Sequence, residues 1–284
     1  MAATLDEAIT REGAQVLGEP VSAVEPLAHA GRMTATRAVC RVRTASRHAV
    51  VKVVARRLAH AQADAFVPPD AIPWSRSFLP TYLTIWDDVG WDRVYDDGAW
   101  EQPLIREYYA PHRRALVALC EDRHQMLAWA DGLPQTICHH DVWINNVFDT
   151  DDHTVLIDWA FAGWGALGCD PGNLVTDSCG DLMLPASLLP ELDAAATAGY
   201  RAGLEDAGRH ADVDAARLGM CLVAAKWSWL TPHMLRLAAD EQHAVYGRSD
   251  VDSHHLFSER AATLAFLTTL ADEARARARA FGLA

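Results

Sequence analysis

The chain has 284 residues, half of them hydrophobic, so we expect a packed core in one large or two modest domains. Its net charge of -13 argues against binding to a nucleic-acid backbone, which requires clustered Lys and Arg side chains. The same charge suits a cationic ligand, although acidity also serves solubility alone. We therefore expect no nucleic-acid partner.

The sequence shows no sign of export or membrane attachment. Residues 1–20 carry several charged side chains and lack the apolar run of a signal peptide. No stretch approaches the ~20 apolar residues that a membrane-spanning helix needs. The six cysteines are scattered without a C-x-x-C pair, as in a protein with reduced and mostly buried thiols. These features predict a cytoplasmic protein.

The N-terminal part is predicted to be rich in strands. Residues 2–17 have the pattern of a short amphipathic helix that ends at Gly18. Three short strand-like stretches follow, separated by turns: Val24–Ala28, Val39–Val42 and Ala49–Val54. They predict an antiparallel meander that is too small to form a domain alone.

The rest of the chain is predicted to be mostly helical. Residues 55–65 have a helical pattern, residues 67–80 resemble a proline-rich connection, and residues 81–110 are hard to assign. Further helical patterns occupy residues 111–131, 186–206, 212–238 and 253–281. The expected fold class is α+β, with a reduced β-rich N-terminal lobe over residues 1–54 and a helical lobe over residues 55–284.

The most informative stretch, from Ile137 to Leu174, contains three side chains suited to one site. Two short apolar strands flank a polar turn at residues 149–153, which predicts a β-hairpin. Asn146 precedes the outgoing strand and Asp158 follows the returning one, so the hairpin places them side by side. Asp141 lies in the loop that leads to Asn146. Two carboxylates and one amide oxygen are hard ligands that suit Mg²⁺.

The spacing from His139 to Asn146 matches the H-x-D-x-x-x-x-N catalytic loop of kinases. In that loop the aspartate accepts the proton of the substrate hydroxyl and the asparagine binds a metal ion. Taken singly, Asn146 and Asp158 are also compatible with turn positions. Together they favour phosphoryl transfer, in which the protein positions the reactants and neutralises charge. His139 and Asp170 are interpreted as residues that support the loop.

Two features of the N-terminal part suggest contacts with phosphate groups. Lys52 lies in an apolar run, either on the solvent face of an edge strand or directed at phosphates, as the strand lysine of kinases is. The Gly31-Arg32 turn either covers a nucleotide or is a plain hairpin turn. In the helical part, five tryptophans are expected in the core, with one or two as candidates for a substrate pocket: Trp143, Trp159, Trp164, Trp227 and Trp229.

These motifs resemble the aminoglycoside phosphotransferase and choline kinase-like family of small-molecule phosphotransferases. The resemblance rests on three segments: His139–Asn146, Ile157–Trp159 and Gly163–Asp170. It implies a protein-kinase-like bilobal fold, ATP and Mg²⁺ as cofactors, and transfer of the γ-phosphoryl group to a hydroxyl of a small molecule. By residue, it implies Asp141 as the base, Asn146 and Asp158 as metal ligands, and Lys52 at the α- and β-phosphates.

The N-terminal part departs from this family. Its members follow the lysine strand with a helix whose glutamate pairs with the lysine, and then with two strands and an adenine-binding hinge. Here no glutamate occurs between Lys52 and Glu101, so this partner is missing. Tyr82–Gly90 is the remaining candidate for a strand and hinge. Without it an apolar sheet edge is exposed unless another chain or segment covers it, and one hypothesis is a homo-oligomer in which a partner subunit completes the lobe.

Three functions are compatible with these observations. The first is an active ATP-dependent kinase that acts on an aminoglycoside, sugar or amino-alcohol hydroxyl. The second is a pseudokinase that binds a ligand or partner without turnover, because the nucleotide-holding part is reduced. The third is a metal-dependent phosphohydrolase that uses the His140-Asp141 dipeptide. The intact catalytic loop favours the first, and the sequence does not identify the acceptor.

Overall fold

The computed structural model describes residues 23–27, 39–43, 55–59, 61–63, 78–149, 154–239 and 251–284. Strands β1 (Ala23–Leu27) and β2 (Val39–Arg43) pair antiparallel, with Ala23 opposite Arg43, and confirm two strands of the predicted meander. Several predicted features lie outside the described residues: the helix at 2–17, Gly31, Arg32, the third strand with Lys52, and the domain boundary at residue 54.

Short helices, and no strand, occupy residues 78–112. The elements are α1 (Phe78–Thr84), 3₁₀ turns at Asp87–Val89 and Trp91–Tyr95, α2 (Asp97–Trp100), α3 (Pro103–Tyr108) and a 3₁₀ turn at Ala110–His112. The strand and hinge considered for Tyr82–Gly90 are therefore wrong. Leu79 and Leu83 are buried and four residues apart, so helical spacing places both on the face toward the core.

Helices precede and follow this segment as the sequence predicts. Residues 55–59 and 61–63 are helical, within the range predicted at 55–65. The long helix α4 (Arg113–Asp131) buries the apolar side predicted from its spacing, with Leu116, Leu119, Met126 and Leu127 in the core.

Two antiparallel strand pairs frame the central motifs. β4 (Val147–Asp149) pairs with β5 (Thr154–Leu156), which confirms the predicted hairpin. β3 (Gln135–Cys138) pairs with β6 (Gly163–Ala166), a pairing not predicted because β6 is buried at all four residues and shows no alternation. Residues 139–146 connect β3 to β4 and residues 157–162 connect β5 to β6, so both motif segments lie between the pairs.

The C-terminal body is helical. Its helices are α5 (Cys169–Gly180), α6 (Leu189–Asp206), α7 (Val213–Leu222), α8 (Leu230–Leu237) and α9 (Ser253–Ala280), with 3₁₀ turns at Ala186–Leu188, His210–Asp212 and Val223–Trp229. The single helix predicted at 212–238 is thus divided by a 3₁₀ segment. All seven residues of Val223–Trp229 are buried, so packing on every side shapes this stretch.

Burial anchors the loop between β3 and β4. The body contains two apolar clusters, and Val142 belongs to the one formed largely by α5 and α6.

Five cysteines are buried and free, as expected: Cys120, Cys138, Cys169, Cys179 and Cys221. No described helix combines the length and apolarity needed to cross a membrane. These elements confirm the predicted α+β class with a larger, mostly helical C-terminal body.

Candidate active site

A buried carboxylate lies beneath the loop at residues 139–146. Asp170, in the first turn of α5, is only 1% exposed. Its two oxygens accept hydrogen bonds from the backbone N–H groups of His139 and His140, both at 2.8 Å. Gln62 donates a further bond at 2.8 Å, and the Tyr200 hydroxyl donates to Gln62. A buried carboxylate with these donors holds two consecutive peptides in place, which is the geometry that the predicted supporting role requires.

His139 connects the loop to the hairpin through both ring nitrogens. Its Nε2 donates to the carbonyl of Ile157 at 2.9 Å, and its Nδ1 accepts from the backbone N–H of Asp141 at 3.3 Å. The carbonyl can only accept and the backbone N–H can only donate, so in this arrangement Nε2 is the donor and Nδ1 is the acceptor. The ring also lies 4.6 Å from that of Trp159. His139 therefore contacts backbone and an aromatic ring.

Asp141 and Asn146 are brought together by direct hydrogen bonds. The amide nitrogen of Asn146 donates to the Asp141 carboxylate at 2.8 Å and to its backbone carbonyl at 2.9 Å. The carbonyl of Asn146 accepts from the N–H of Ile157 at 3.1 Å, which extends the hairpin by one step. The side-chain amide is thus fixed with its nitrogen toward Asp141, and no described residue donates to its oxygen.

Asp158 follows the hairpin directly and adopts a left-handed backbone conformation with φ of 61°. Its neighbour Ile157 pairs with Asn146, so the predicted side-by-side placement agrees with the hairpin register. The Asp158 side chain is exposed and makes no hydrogen bond within the described part of the chain. A left-handed non-glycine residue at this position is an uncommon conformation of the kind that clusters at functional sites.

Groups around Asp141 shift the pKa of its carboxyl in opposite directions. Burial raises the pKa of this carboxyl above its ordinary value, and Lys226 opposes the shift. The negative charges of Asp177 and Asp158 raise the pKa further. A carboxylate that is partly withdrawn from water yet influenced by a nearby cation is suited to accepting a proton from a hydroxyl group.

Lys226, which is 2% exposed, was not among the predicted site residues. Lys226 forms a buried ion pair with Asp177 and donates to the Asn173 amide oxygen at 3.3 Å. Asn173 in turn donates to the carbonyl of His140, next to Asp141, at 3.2 Å. The sequence did contain a signal for Lys226. It lies inside the apolar run Val223–Trp229, and a lysine in an apolar run is the pattern that made Lys52 a candidate.

The tryptophan predictions hold with one exception. Four of the five are buried, namely Trp143, Trp164, Trp227 and Trp229. Trp159 is 52% exposed, so its expected place in the core is wrong. It follows the left-handed turn at Asp158, and its Nε1 donates back to the carbonyl of Leu156 at 3.0 Å, which keeps the ring against the hairpin.

A second group of potential metal ligands is already occupied by hydrogen bonds within the protein. Cys138, His140 and Asp170 bring ligand atoms within 4.8 Å of one another. Both Asp170 oxygens accept loop N–H groups, and Nε2 of His140 donates to the carbonyl of Trp164 at 3.0 Å. Gly165 has no side chain to obstruct this ring, and a Cβ added there would collide with its Cε1. We assign this cluster to loop support and not to metal binding.

A match to a known protein family agrees with this geometry. The model of the phosphotransferase enzyme family matches residues 81–212, a range that contains Asp141, Asn146 and Asp158. The predicted resemblance to this family is confirmed over these residues. No curated protein matches the chain.

Two solved structures are similar to this chain. One is a choline/ethanolamine kinase family protein from Mesorhizobium loti, with 17% identity, a TM-score of 0.46, and coverage of 96% of this chain and 82% of the other. The other is an aminoglycoside phosphotransferase from Alicyclobacillus acidocaldarius subsp. acidocaldarius, with 16% identity, a TM-score of 0.47, and coverage of 95% and 84%.

Proposed function

We propose that this protein transfers the γ-phosphoryl group of ATP, with Mg²⁺, to a hydroxyl of a small molecule of the aminoglycoside, sugar or amino-alcohol type. The observation that carries the proposal is the hydrogen bond from Asn146 to Asp141, which holds a base and an amide oxygen in one fixed arrangement. The family match supports phosphotransfer as the reaction class.

The free oxygen atoms of Asn146 and Asp158 are suited to Mg²⁺ as ligands. The amide oxygen of Asn146 and the Asp158 carboxylate accept no hydrogen bond from any described residue, and both are hard oxygen ligands. Asn146 and Asp158 would hold the ion, which supplies charge neutralisation at the phosphate oxygens. Asp141 would orient the acceptor hydroxyl and accept its proton. Lys52, with the Gly31-Arg32 turn, remains the proposed contact to the other phosphates.

The geometry around His140 counts against the phosphohydrolase alternative. His140 is buried, and its ring donates to the Trp164 carbonyl in β6. A metal-binding His-Asp dipeptide would direct the imidazole toward the ion. The pseudokinase alternative differs from the kinase in turnover alone, so binding and transfer must be measured separately.

Calorimetric titration with ATP, with and without Mg²⁺, tests the nucleotide site. We expect binding by the wild type that requires Mg²⁺ and becomes at least about tenfold weaker in Asp158→Asn, which removes the charge and keeps the left-handed backbone accessible. Asp214→Asn is the matched control, because this aspartate is 79% exposed and remote in sequence. A folded wild type that fails to bind millimolar ATP would overturn the proposal.

Transfer is tested on a panel of hydroxyl acceptors with Asp141→Asn as the diagnostic variant. We expect its rate to fall by roughly 10²–10⁴ while ATP affinity is retained, since the variant removes the base but not the metal ligands. ATP binding without transfer to any acceptor would favour the pseudokinase.

A further inference from the structure

Gln62 is a buried glutamine that contacts Asp170, the carboxylate beneath the loop at residues 139–146. The residue is 4% exposed. Its Nε2 donates to the Asp170 carboxylate at 2.8 Å and to the carbonyl of Ile137 at 3.1 Å, while its Oε1 accepts from the Tyr200 hydroxyl. Both polar atoms of the amide therefore have partners inside the protein.

The neighbours of this amide allow one orientation only. The Asp170 carboxylate and the Ile137 carbonyl can only accept hydrogen bonds, so the amide nitrogen must face them. A reversed amide would place its oxygen against two other oxygens, one of them charged, in a buried site where such contacts are costly. The Tyr200 hydroxyl stabilises the observed orientation by donating to the amide oxygen. Gln62 thus offers Asp170 a donor from a fixed direction.

Asp170 divides its two oxygens between Gln62 and the loop. Its Oδ2 accepts from Gln62 and from the backbone N–H of His139, both at 2.8 Å, and its Oδ1 accepts from the backbone N–H of His140 at 2.8 Å. Hydrogen bonds to a charged oxygen are among the strong ones, so the three donors together fix the plane of the carboxylate. Because Asp141 is the next residue, a rotation of that plane would move the backbone that presents the proposed base.

The segment that carries Gln62 is attached to the body independently of this side chain. The Thr136 hydroxyl in β3 donates to the backbone carbonyl of Gln62 at 3.0 Å. Arg56 Nε donates to Asp206 at the end of α6 at 2.8 Å. Gly203 lets α6 approach closely, since a Cβ added there would collide with the carbonyl oxygen of Arg56. Removing the Gln62 amide should therefore leave the segment in place and release the carboxylate alone.

We propose that Gln62 is a positioning residue for phosphoryl transfer, which acts through Asp170 on the backbone that presents Asp141. The inference rests on the proposed kinase function and adds to it a residue that precedes all the central motifs. The hydrogen bonds described for Gln62 do not include the proposed metal ligands Asn146 and Asp158. Its loss should therefore slow transfer while the binding of ATP with Mg²⁺ is retained.

Hydrogen exchange and kinetics of Gln62→Met test the proposal, since methionine is close to glutamine in size and has no N–H donor. We expect exchange of the amides at residues 139–146 to become at least about tenfold faster, with changes below about twofold in the β4–β5 hairpin and in α9. In kinetics, kcat should fall roughly tenfold to hundredfold while the KM for ATP stays constant.

Gln102→Met is the matched control. Gln102 also makes two hydrogen bonds through its Nε2, to the carbonyls of Ala99 at 3.2 Å and Leu235 at 3.0 Å, and neither acceptor belongs to the loop or to its support. We expect this variant to leave both loop exchange and kcat unchanged. If Gln62→Met does not fold, Tyr200→Phe removes only the hydroxyl that orients the amide, and it should accelerate loop exchange at least about threefold.

Three results would overturn the inference: unchanged loop exchange in the variant that folds, acceleration spread evenly over the protein, or faster loop exchange with full kcat. Even acceleration would mean that the substitution lowers global stability and does not act on the loop. A wild type that transfers phosphate to no acceptor contradicts the kinase proposal instead. Loop exchange, which needs no ATP and no acceptor, then still decides whether Gln62 holds the loop.

Discussion

The two sides of the loop at residues 139–146 are held in different ways. Beneath the loop, on what we call the inner side, Asp170, Asn173 and Lys226 are buried and hydrogen-bonded to the loop or to one another. On the hairpin side, Asp158 and Trp159 are exposed, and Asp158 has no described hydrogen-bond partner.

The difference follows from solvation. A polar group without water must find a protein partner, so the inner side is rigid and its geometry is decided during folding. An exposed carboxylate is hydrated and available to an incoming ion. The arrangement places the proposed base Asp141 beside the preformed inner side and leaves the proposed metal ligand Asp158 open to solvent.

Breaking the buried ion pair should have the largest effect on stability. Lys226→Met leaves Asp177 charged and unpaired in the core, and we expect a loss of roughly 3–5 kcal/mol in the free energy of unfolding. Urea denaturation measures it. The double variant Lys226→Met with Asp177→Asn should cost clearly less than the sum of the single variants. Strict additivity would show that the two side chains are not coupled.

Asp170→Asn should cause the second-largest loss of stability. The amide keeps the shape but places an NH₂ group against loop N–H donors, so we expect a loss of about 2–4 kcal/mol in the free energy of unfolding. Asp214→Asn, an exposed control, should change it by less than about 0.5 kcal/mol. Equal effects of the two substitutions would contradict the supporting role of Asp170.

The pH dependence of stability should reveal the raised pKa of Asp181. Burial of the carboxyl and the nearby negative charge of Asp177 raise its pKa to about 7 in the folded state, from an ordinary value of 3.8. The folded protein then binds this proton more tightly than the unfolded chain, so stability falls as the pH rises between these values. Asp181→Asn should lose less stability across that window. Parallel curves for both proteins would show that the pKa is unshifted.

The hairpin side should give the smallest stability effect. Asp158→Asn tolerates the left-handed backbone and removes no described hydrogen bond, so we expect a change below about 0.5 kcal/mol in the free energy of unfolding. Asp158→Ala should cost about 1–2 kcal/mol more, since alanine disfavours this conformation. A large loss in Asp158→Asn would mean that the hairpin side is as tightly held as the inner side.

Much of the candidate site was predictable because its signals are local. The H-x-D-x-x-x-x-N spacing and the hairpin register depend on neighbouring residues, so the sequence alone is enough to group Asp141, Asn146 and Asp158. The helices α4 and α9 were predicted for the same reason, because apolar side chains recur at helical spacing.

The errors occurred where tertiary packing overrides local pattern. Tyr82–Gly90 has an apolar, strand-like composition, yet α1 places Leu83 against the body as a helical residue. The run at Val223–Trp229 continues a helical pattern, yet it forms a 3₁₀ segment that presents Lys226 and Trp227 to Asp177. Local preference is weak compared with burial of a charged or aromatic side chain.

Local sequence patterns define the helical body, the hairpin and the three residues proposed for base and metal chemistry, because each depends on periodicity or spacing within a short segment. What holds and surrounds these residues depends instead on long-range contacts. The contacts of His140 with Asp170 and of Lys226 with Asp177 join residues that are dozens of positions apart. Such contacts form because buried charges must find partners in the folded chain, a requirement that no local pattern records.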